Sequence, residues 1–220
     1  MNSELRKRIF TSLVLISLLT AMFVYSYVMV ITLITIAIII WVEFYALVSK
    51  IFKKNSIKYK VFRFLYKSIS LLYLLFLVYL ILSIESHYKD LKIYLLYTIL
   101  VAMLCDIGGL VVGKIFKGKK LTKISPKKTV SGSIGSFIFP FSLIPFFYEK
   151  FIENDLLILS LITLLISLIT QLGDLFISYL KRKAKVKDTS NILPGHGGFL
   201  DRVDGIIFAI PAGVLLFNLS

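Results

Sequence analysis

From Ile9 to Val48 the chain carries no Lys or Arg and a single acid, Glu43. A helix needs about 20 mostly apolar residues to cross a bilayer. The run is therefore long enough for two crossings, with a tight turn near Ser26–Tyr27. Composition agrees. Of the 220 residues, 58% are hydrophobic and 17% charged, whereas a soluble domain is about 45–50% apolar and about 25% charged. The excess excludes an ordinary soluble fold, and it excludes disorder, which needs low hydrophobicity. One Cys excludes a disulfide framework. A net charge of +14 usually suggests nucleic acid. In a chain this apolar it points to a membrane instead, and no nucleic-acid partner is expected.

Further apolar stretches run at Ser68–Ser83, Ile93–Val112, Ser133–Tyr148, Leu156–Leu180 and Val203–Leu219. Together they predict an all-α, polytopic membrane bundle of about seven transmembrane helices. The charges test that count. Arg6, Lys7 and Arg8 precede the first span, and Lys and Arg then crowd into loops 50–67, 114–128 and 181–202. The intervening turns keep only Lys89, Lys92 and Lys150. The positive-inside rule puts the N-terminus and all the basic segments in the cytoplasm. The expected location is the cytoplasmic membrane, multi-pass, with an active site facing the cytoplasm. The N-terminal basic cluster reads as the flank of an uncleaved first helix, because its apolar run is too long for a signal peptide. Residues 57–67 mix bases and aromatics, as a headgroup-layer segment or a solvated basic loop would. No internal repeat or linker is visible. Residues 1–100 read as N-terminal spans, and 101–220 as a catalytic region with cytoplasmic loops 114–132 and 181–202.

An ionisable group inside a membrane is costly unless paired, wet or metal-bound. Asp106 lies eight residues before Lys114, and Asp174 seven before Lys181. At a rise of 1.5 Å per residue these are roughly 12 Å and 10 Å inside the basic edge. Asp201 and Asp204 stand where the last span is expected to begin. Acids clustered at one depth repel each other, and a divalent cation removes the problem. Hard oxygen ligands suit Mg²⁺. The alternative for Asp106 is a polar packing contact or a wet cavity. Glu43 is alone on its span and is expected to snorkel or to pair with a lysine.

Two loops are expected to face these acids. Lys114–Ser136 joins lysines to Ser125, Pro126, Thr129, Ser131, Ser133 and three glycines. Lysines supply point charges for phosphates, and hydroxyls and glycine-exposed N–H groups add donors. In Ser178–Asp204, Gly195, Gly197 and Gly198 flank His196, with Arg202 between Asp201 and Asp204. His196 is a candidate proton carrier or metal ligand, or simply orients a Gly turn. Bases for phosphate and acids for metal suggest phosphoryl or nucleotidyl transfer, which needs no protein nucleophile. No Ser/His/Asp or Cys/His arrangement and no P-loop is present. Cys105, within a span, reads as packing. Gly109 and Gly113 have G-x-x-x-G spacing, a weak helix-packing signal.

The stretch Ser178–Asp204 resembles the signature of phosphatidate cytidylyltransferases, or CDP-diacylglycerol synthases. The matching residues are Ser178, Lys181, Arg182, Lys187, Asp188, Pro194, His196, Gly197, Gly198, Asp201, Arg202 and Asp204. Gly173-Asp174-Leu175 and Ser125-Pro126-Lys127-Lys128-Thr129 also look like family blocks, and Asp106 with Gly108 and Gly113 is a looser match. The resemblance covers roughly 102–217. It departs at Ile177, where the family usually has an acid, and at Val130-Ser131-Gly132, where it commonly has Trp-Glu-Gly. What the resemblance implies is CTP plus phosphatidate giving CDP-diacylglycerol and diphosphate, with the lipid phosphate as nucleophile. It further implies Asp174 and Asp201 as metal ligands, supported by Asp106 and Asp204, with Mg²⁺ and K⁺ as a second cation. Ser125, Thr129 and Ser178 would donate oxygens to metal or phosphate. Lys127, Lys128, Lys181 and Arg182 would take phosphate charge. Lys187, His196, Gly197, Gly198 and Arg202 complete the substrate-binding set. The partners implied are CTP and phosphatidate in the bilayer, with a homodimer left open. Two other classes stay open: a CTP-dependent lipid-alcohol kinase, and a transporter with buried acidic ion sites.

Overall fold

The computed structural model describes residues 10–11, 13–14, 17–18, 20–22, 24–87, 91–151, 155–195 and 197–219. Among them the elements are helical: α1 (Ser26–Ile51), α2 (Ile57–His87), α3 (Lys92–Phe116), α4 (Val130–Ile138), α5 (Ile144–Phe147), α6 (Leu156–Lys183), α7 (Leu200–Val203) and α8 (Ile206–Leu219). Short 3-10 turns at Phe139–Leu143 and Tyr148–Lys150 flank α5. Five segments are long and apolar enough to cross a membrane: Ser26–Ile51, Ile57–Ser86, Lys92–Phe116, Val130–Lys150 and Leu156–Lys183. Only 22% to 44% of their apolar windows is buried inside the protein. In water such faces would be a large aggregation-prone surface; a bilayer is the solvent that accepts them. The all-α membrane bundle expected from the sequence is the architecture found.

The span ends shift in ways that have local causes. The first break falls at Tyr25, whose extended backbone (φ −121°, ψ 109°) precedes α1. The first expected span lies in the stretch described only in pieces, and Arg6, Lys7, Arg8 and Lys89 lie outside the described residues. Residues 57–67 are not a loop: they form the first turns of the 31-residue α2. The stretch 133–148 is helical but broken, because Pro140 and Pro145 each begin a new turn and cannot donate to the preceding one. The last expected span is the 14-residue α8, about 21 Å long at 1.5 Å per residue. That is shorter than the roughly 30 Å hydrocarbon core.

The chain packs as two compact units. The first comprises residues up to His87 together with Leu180–Val203. In it α1 and α2 form a hairpin around Ile40, Leu47, Leu74, Leu77, Ile81 and Ile84. The indole N–H of Trp41 donates to the Lys67 carbonyl (3.3 Å), and the Lys67 ammonium lies 3.1 Å over the Tyr45 ring. Phe52, at the turn, contacts the rings of Tyr59, Phe62 and Tyr66. The aromatics between the lysines of 57–67 therefore fasten the hairpin's turn.

The second unit comprises Tyr88–Tyr179 and Asp204–Ser220. Its core gathers Tyr97, Val101, Ala102, Ile144, Phe147, Phe151, Leu159, Ile162, Ile166 and Ala209. Tyr97 is fully buried, and its hydroxyl is satisfied by Thr163 at 2.5 Å. The helices α3 and α4 meet through glycines. A Cβ on Gly109 would lie 2.5 Å from Ser136 Oγ, and one on Gly132 would lie 2.7 Å from the Gly109 carbonyl. The Gly109/Gly113 spacing thus marks a real close approach. Gly132→Leu is expected to force these helices apart, costing about 2 kcal/mol and lowering Tm by about 4–8 °C. Thermal denaturation of the detergent-solubilised protein reads this directly; an unchanged Tm would contradict the packing.

Candidate active site

In the second unit, helix α6 carries a polar stripe. Thr163, Ser167, Thr170, Asp174 and Ser178 recur at spacings of three and four, which is one helical face. Thr163, Ser167 and Thr170 are buried, and each hydroxyl donates back to the carbonyl four residues earlier. The helix starts where Asp155 accepts the N–H groups of Leu157 and Ile158. At the stripe's end Asp174 Oδ2 is ion-paired with Lys128, and Ser178 Oγ donates to Asp174 Oδ1 at 3.3 Å. Both members of the ion pair are half-buried. Asp106, Lys128 and Asp174 all lie within electrostatic reach of the Cys105 thiol, so Asp106 shares this neighbourhood. Cys105 donates to the Ser167 carbonyl at 3.6 Å, in keeping with a packing role.

Lys128 is positioned by a compact turn. After α3, Lys117 (φ 51°) and Gly118 (φ 107°) reverse the chain. Leu121 N–H donates to Lys128 O (2.8 Å), and Val130 N–H to Lys119 O (3.0 Å). Ser125 N–H donates to Thr122 Oγ1, and Ser125 O accepts from Lys128 N–H. Thr129 Oγ1 accepts the Gly132 N–H at 3.0 Å and caps α4. Ser131 donates to the Lys117 carbonyl. Ser133 donates to Gln171 Oε1 at 2.6 Å. Lys127 is exposed. Asp204 is buried with its Oδ1 on the Gly205 N–H, and its carbonyl abuts Gly173.

In the first unit, segment 180–203 is a tightly bonded loop. It opens where α6 ends: Val186 N–H donates to Lys181 O and Lys185 N–H to Arg182 O, with Lys185 at φ 57°. This is a Schellman end with lysine where glycine is usual. Lys181 is 8% exposed, and its ammonium donates to Asp201 Oδ1 at 2.6 Å. Asp201 Oδ2 accepts from Thr189 N–H (2.8 Å), Thr189 Oγ1 (3.0 Å) and Gly198 N–H (3.1 Å). Leu193 and Gly197 exchange backbone hydrogen bonds around Pro194–Gly195, with Gly197 at φ 89°. His196 lies outside the described residues. Arg182, Lys187 and Arg202 are exposed, and Arg182 donates to the Val186 carbonyl.

Glu43 corrects an expectation. It does not snorkel, and among the described residues it pairs with no lysine. Its side chain is 2% exposed. Oε1 accepts from Ser190 Oγ (2.6 Å) and Phe199 N–H (3.0 Å); Oε2 accepts from Thr189 Oγ1 (2.8 Å) and Leu200 N–H (2.8 Å). The reason is supply: the loop brings four donors to the carboxylate, which satisfies it better than a lysine reaching from the surface. Gly198 makes room, since a Cβ there would collide with Thr189 Oγ1 and lie 2.6 Å from Glu43 Oε2. Thr189 and Ser190 were not singled out by sequence reasoning. The lone acid in an otherwise uncharged apolar run was the available signal.

Among the described residues no group of three or more His, Cys, Asp or Glu is arranged to hold a metal. Asp174 with Ser178 nevertheless fits one side of a Mg²⁺ shell, since Mg²⁺ usually takes one or two carboxylates and completes its octahedron with water and phosphate oxygens. The Lys128 ammonium against Asp174 shows that this carboxylate accepts a cation. Asp201 is different, because its Oδ2 already takes the Thr189 and Gly198 N–H groups and shares the single Thr189 hydroxyl proton with Glu43. Oδ1, paired with Lys181, is its remaining donor atom.

These folds and groups define a polytopic membrane protein with cations and carboxylates bonded at the ends of its spans. A family model for the cytidylyltransferase family matches residues 1–220, and the chain belongs to that family. It is 46% identical over 114 residues to the phosphatidate cytidylyltransferase of Rickettsia typhi, covering 48% of this chain and 50% of that protein. It is 48% identical over 120 residues to the one of Rickettsia felis, covering 51% and 52%. It is 43% identical over 121 residues to the one of Staphylococcus haemolyticus, covering 54% and 46%. The matched region thus spans about half the length of these curated relatives.

Asp201 gives a pH signature. Burial alone would raise its carboxyl, but the Lys181, Thr189 and Gly198 hydrogen bonds and the Lys181 charge hold it below the usual carboxylate range. A depressed folded value contributes stability that is fully present above the unfolded value, about 3.9, and is lost as pH falls through the lower folded one. Tm measured from pH 6 down to pH 3 should therefore fall less steeply in Asp201→Asn than in the parent. Parallel curves would show that Asp201 is not held this way.

Proposed function

We propose that this chain is a CTP:phosphatidate cytidylyltransferase. The observation that carries the reading is the Asp174–Lys128 pair with Ser178, at the end of a transmembrane helix, in a chain of the cytidylyltransferase family. Lysines positioned for phosphate and a carboxylate able to take a cation are the groups that nucleotidyl transfer requires. The relatives' printed name supports the same substrates.

The phosphatidate phosphate oxygen attacks the α-phosphorus of CTP in line. The bond from that phosphorus to the α–β bridging oxygen breaks, and diphosphate leaves with the electron pair. Lys128 and Lys127 stand ready to neutralise phosphate charge, and the turn capped by Thr129 fixes their position. The Thr129 hydroxyl is already bonded within that turn, so its part is chiefly to shape it, whereas Ser125 bonds there through its backbone N–H and carbonyl and its hydroxyl is assigned to phosphate. Lys181, Arg182 and Lys187 supply cations from the 180–203 loop, where Gly197 and Gly198 keep the backbone close to Asp201. Arg202 is assigned to substrate, as is His196.

Mg²⁺ is proposed as the resident cation, with Asp174 and Ser178 as its holders and Asp106 and Asp204 of the same unit as supporting donors. When bound, it neutralises charge on the triphosphate and the leaving diphosphate. The chemistry is assigned to the membrane face that carries the basic segments, since one substrate is a lipid and the other is water-soluble. That face is the cytoplasmic one in this reading, and the membrane is the cytoplasmic membrane.

Micelles containing phosphatidate, α-labelled CTP and the purified protein, with and without EDTA, test the whole reading. Metal-dependent label in the lipid fraction is expected. Labelled CDP without labelled lipid would indicate a lipid kinase instead, and ion flux without turnover a transporter. In the same assay Asp174→Asn should lose at least about 100-fold in kcat, as expected when a preorganised charge is removed from a transferring phosphate, with Tm kept. A near-normal rate would remove Asp174 from the reaction.

A further inference from the structure

We propose that Glu43 is a positioning residue: from the α1–α2 hairpin its carboxylate holds the loop that carries Lys181 and Asp201 in its working shape. The part of the proposal that concerns turnover rests on the cytidylyltransferase reading; the part that concerns loop shape does not.

Four observations carry it. Glu43 lies seven residues before Lys50 on α1, about 10 Å inside the basic edge at the helical rise. A carboxylate there is costly unless fully bonded. It is fully bonded: a carboxylate offers about four acceptor positions, and Thr189, Ser190, Phe199 and Leu200 fill them. These donors come from both sides of the Pro194–Gly195 turn, so one side chain ties residues 189–190 to residues 199–200. Thr189 Oγ1 stands between two acids, 2.8 Å from Glu43 Oε2 and 3.0 Å from Asp201 Oδ2. Any shift of Glu43 is therefore passed to Asp201 and to its Lys181 partner.

A second tie comes from the same part of the chain. Thr11, which is buried, donates to the Pro194 carbonyl at 3.1 Å. The α1–α2 hairpin is itself stiffened by the Trp41–Lys67 hydrogen bond and the Lys67–Tyr45 contact. The N-terminal segment is thus a scaffold for a loop about 150 positions further along, in addition to any role as an anchor. None of these residues touches substrate in this account, so Glu43 acts through the loop.

The test uses the full chain in lipid nanodiscs. Glu43→Gln places an amide N–H₂ against one pair of donors, and Glu43→Ala removes the acceptor. Both should raise hydrogen exchange of residues 189–200 at least about tenfold, the size of losing one hydrogen bond to a charged group. Exchange in α3 should not change. kcat should fall at least about tenfold, with KM for CTP moving less than about threefold, as for an interaction that matters mainly in the transition state. Thr189→Val should show a weaker form of both effects, and Thr189→Ser should restore both. Unchanged exchange at 189–200, or a rise spread evenly over the chain, would overturn the proposal. So would a Thr189→Val protein that matches the parent. If the parent transfers no label from CTP, the functional reading fails, and the exchange and Thr189 measurements still decide the positioning role. If Glu43→Ala does not fold, the Thr189 pair decides it alone.

Discussion

A carboxylate within an apolar membrane helix must find donors or lose its charge, and Glu43 finds four of them on one distant loop. The consequence runs outward. Ser190, Phe199 and Leu200 are fixed by direct bonds, Thr189 by sharing, and Asp201 and Lys181 through Thr189. A loop rich in lysine and glycine would otherwise be mobile, because its charges repel and its glycines lose much entropy on ordering. The buried acid offsets that cost with charge-assisted hydrogen bonds, which are stronger than neutral ones.

The second unit solves the complementary problem of bringing polar groups into a membrane without orphaning them. Hydroxyls at Thr163, Ser167 and Thr170 return to their own helix carbonyls, so the stripe is neutral and internally satisfied. Asp174 and Ser178 extend the same face to where Lys128 is held by a bonded turn. Glycine contacts between α3 and α4 let that turn sit close to its supporting helices. In the proposed reaction, positioning is most of the work, because phosphoryl and nucleotidyl transfer depend on geometry and charge neutralisation.

What could be read from the chain itself follows a physical division. Helices written in long apolar runs were legible, because hydropathy is local and additive along the sequence. The Gly109/Gly113 spacing was only a weak signal in the sequence, and the close contact of α3 with α4 gives it its meaning. Helix ends were less legible: the 57–67 bases begin α2 because their aromatic partners pack on Phe52, and the prolines at 140 and 145 break a run that hydropathy alone treats as one span. Glu43 was visible as an anomaly, but its partners were not. They stand 146 to 157 positions away, and no local pattern encodes such a pairing. Thr189 and Ser190 looked like ordinary loop hydroxyls for that reason.

The most direct measurement is a through-space one on the protein in a bilayer, by solid-state NMR. With glutamate labelled at its carboxyl carbon and phenylalanine and leucine labelled at nitrogen, a dipolar contact should join one glutamate carboxyl to the amides of Phe199 and Leu200. That contact should vanish in Glu43→Gln. A Glu43 carboxyl that instead correlates with lysine ammonium groups or lipid headgroups would contradict the account at its root.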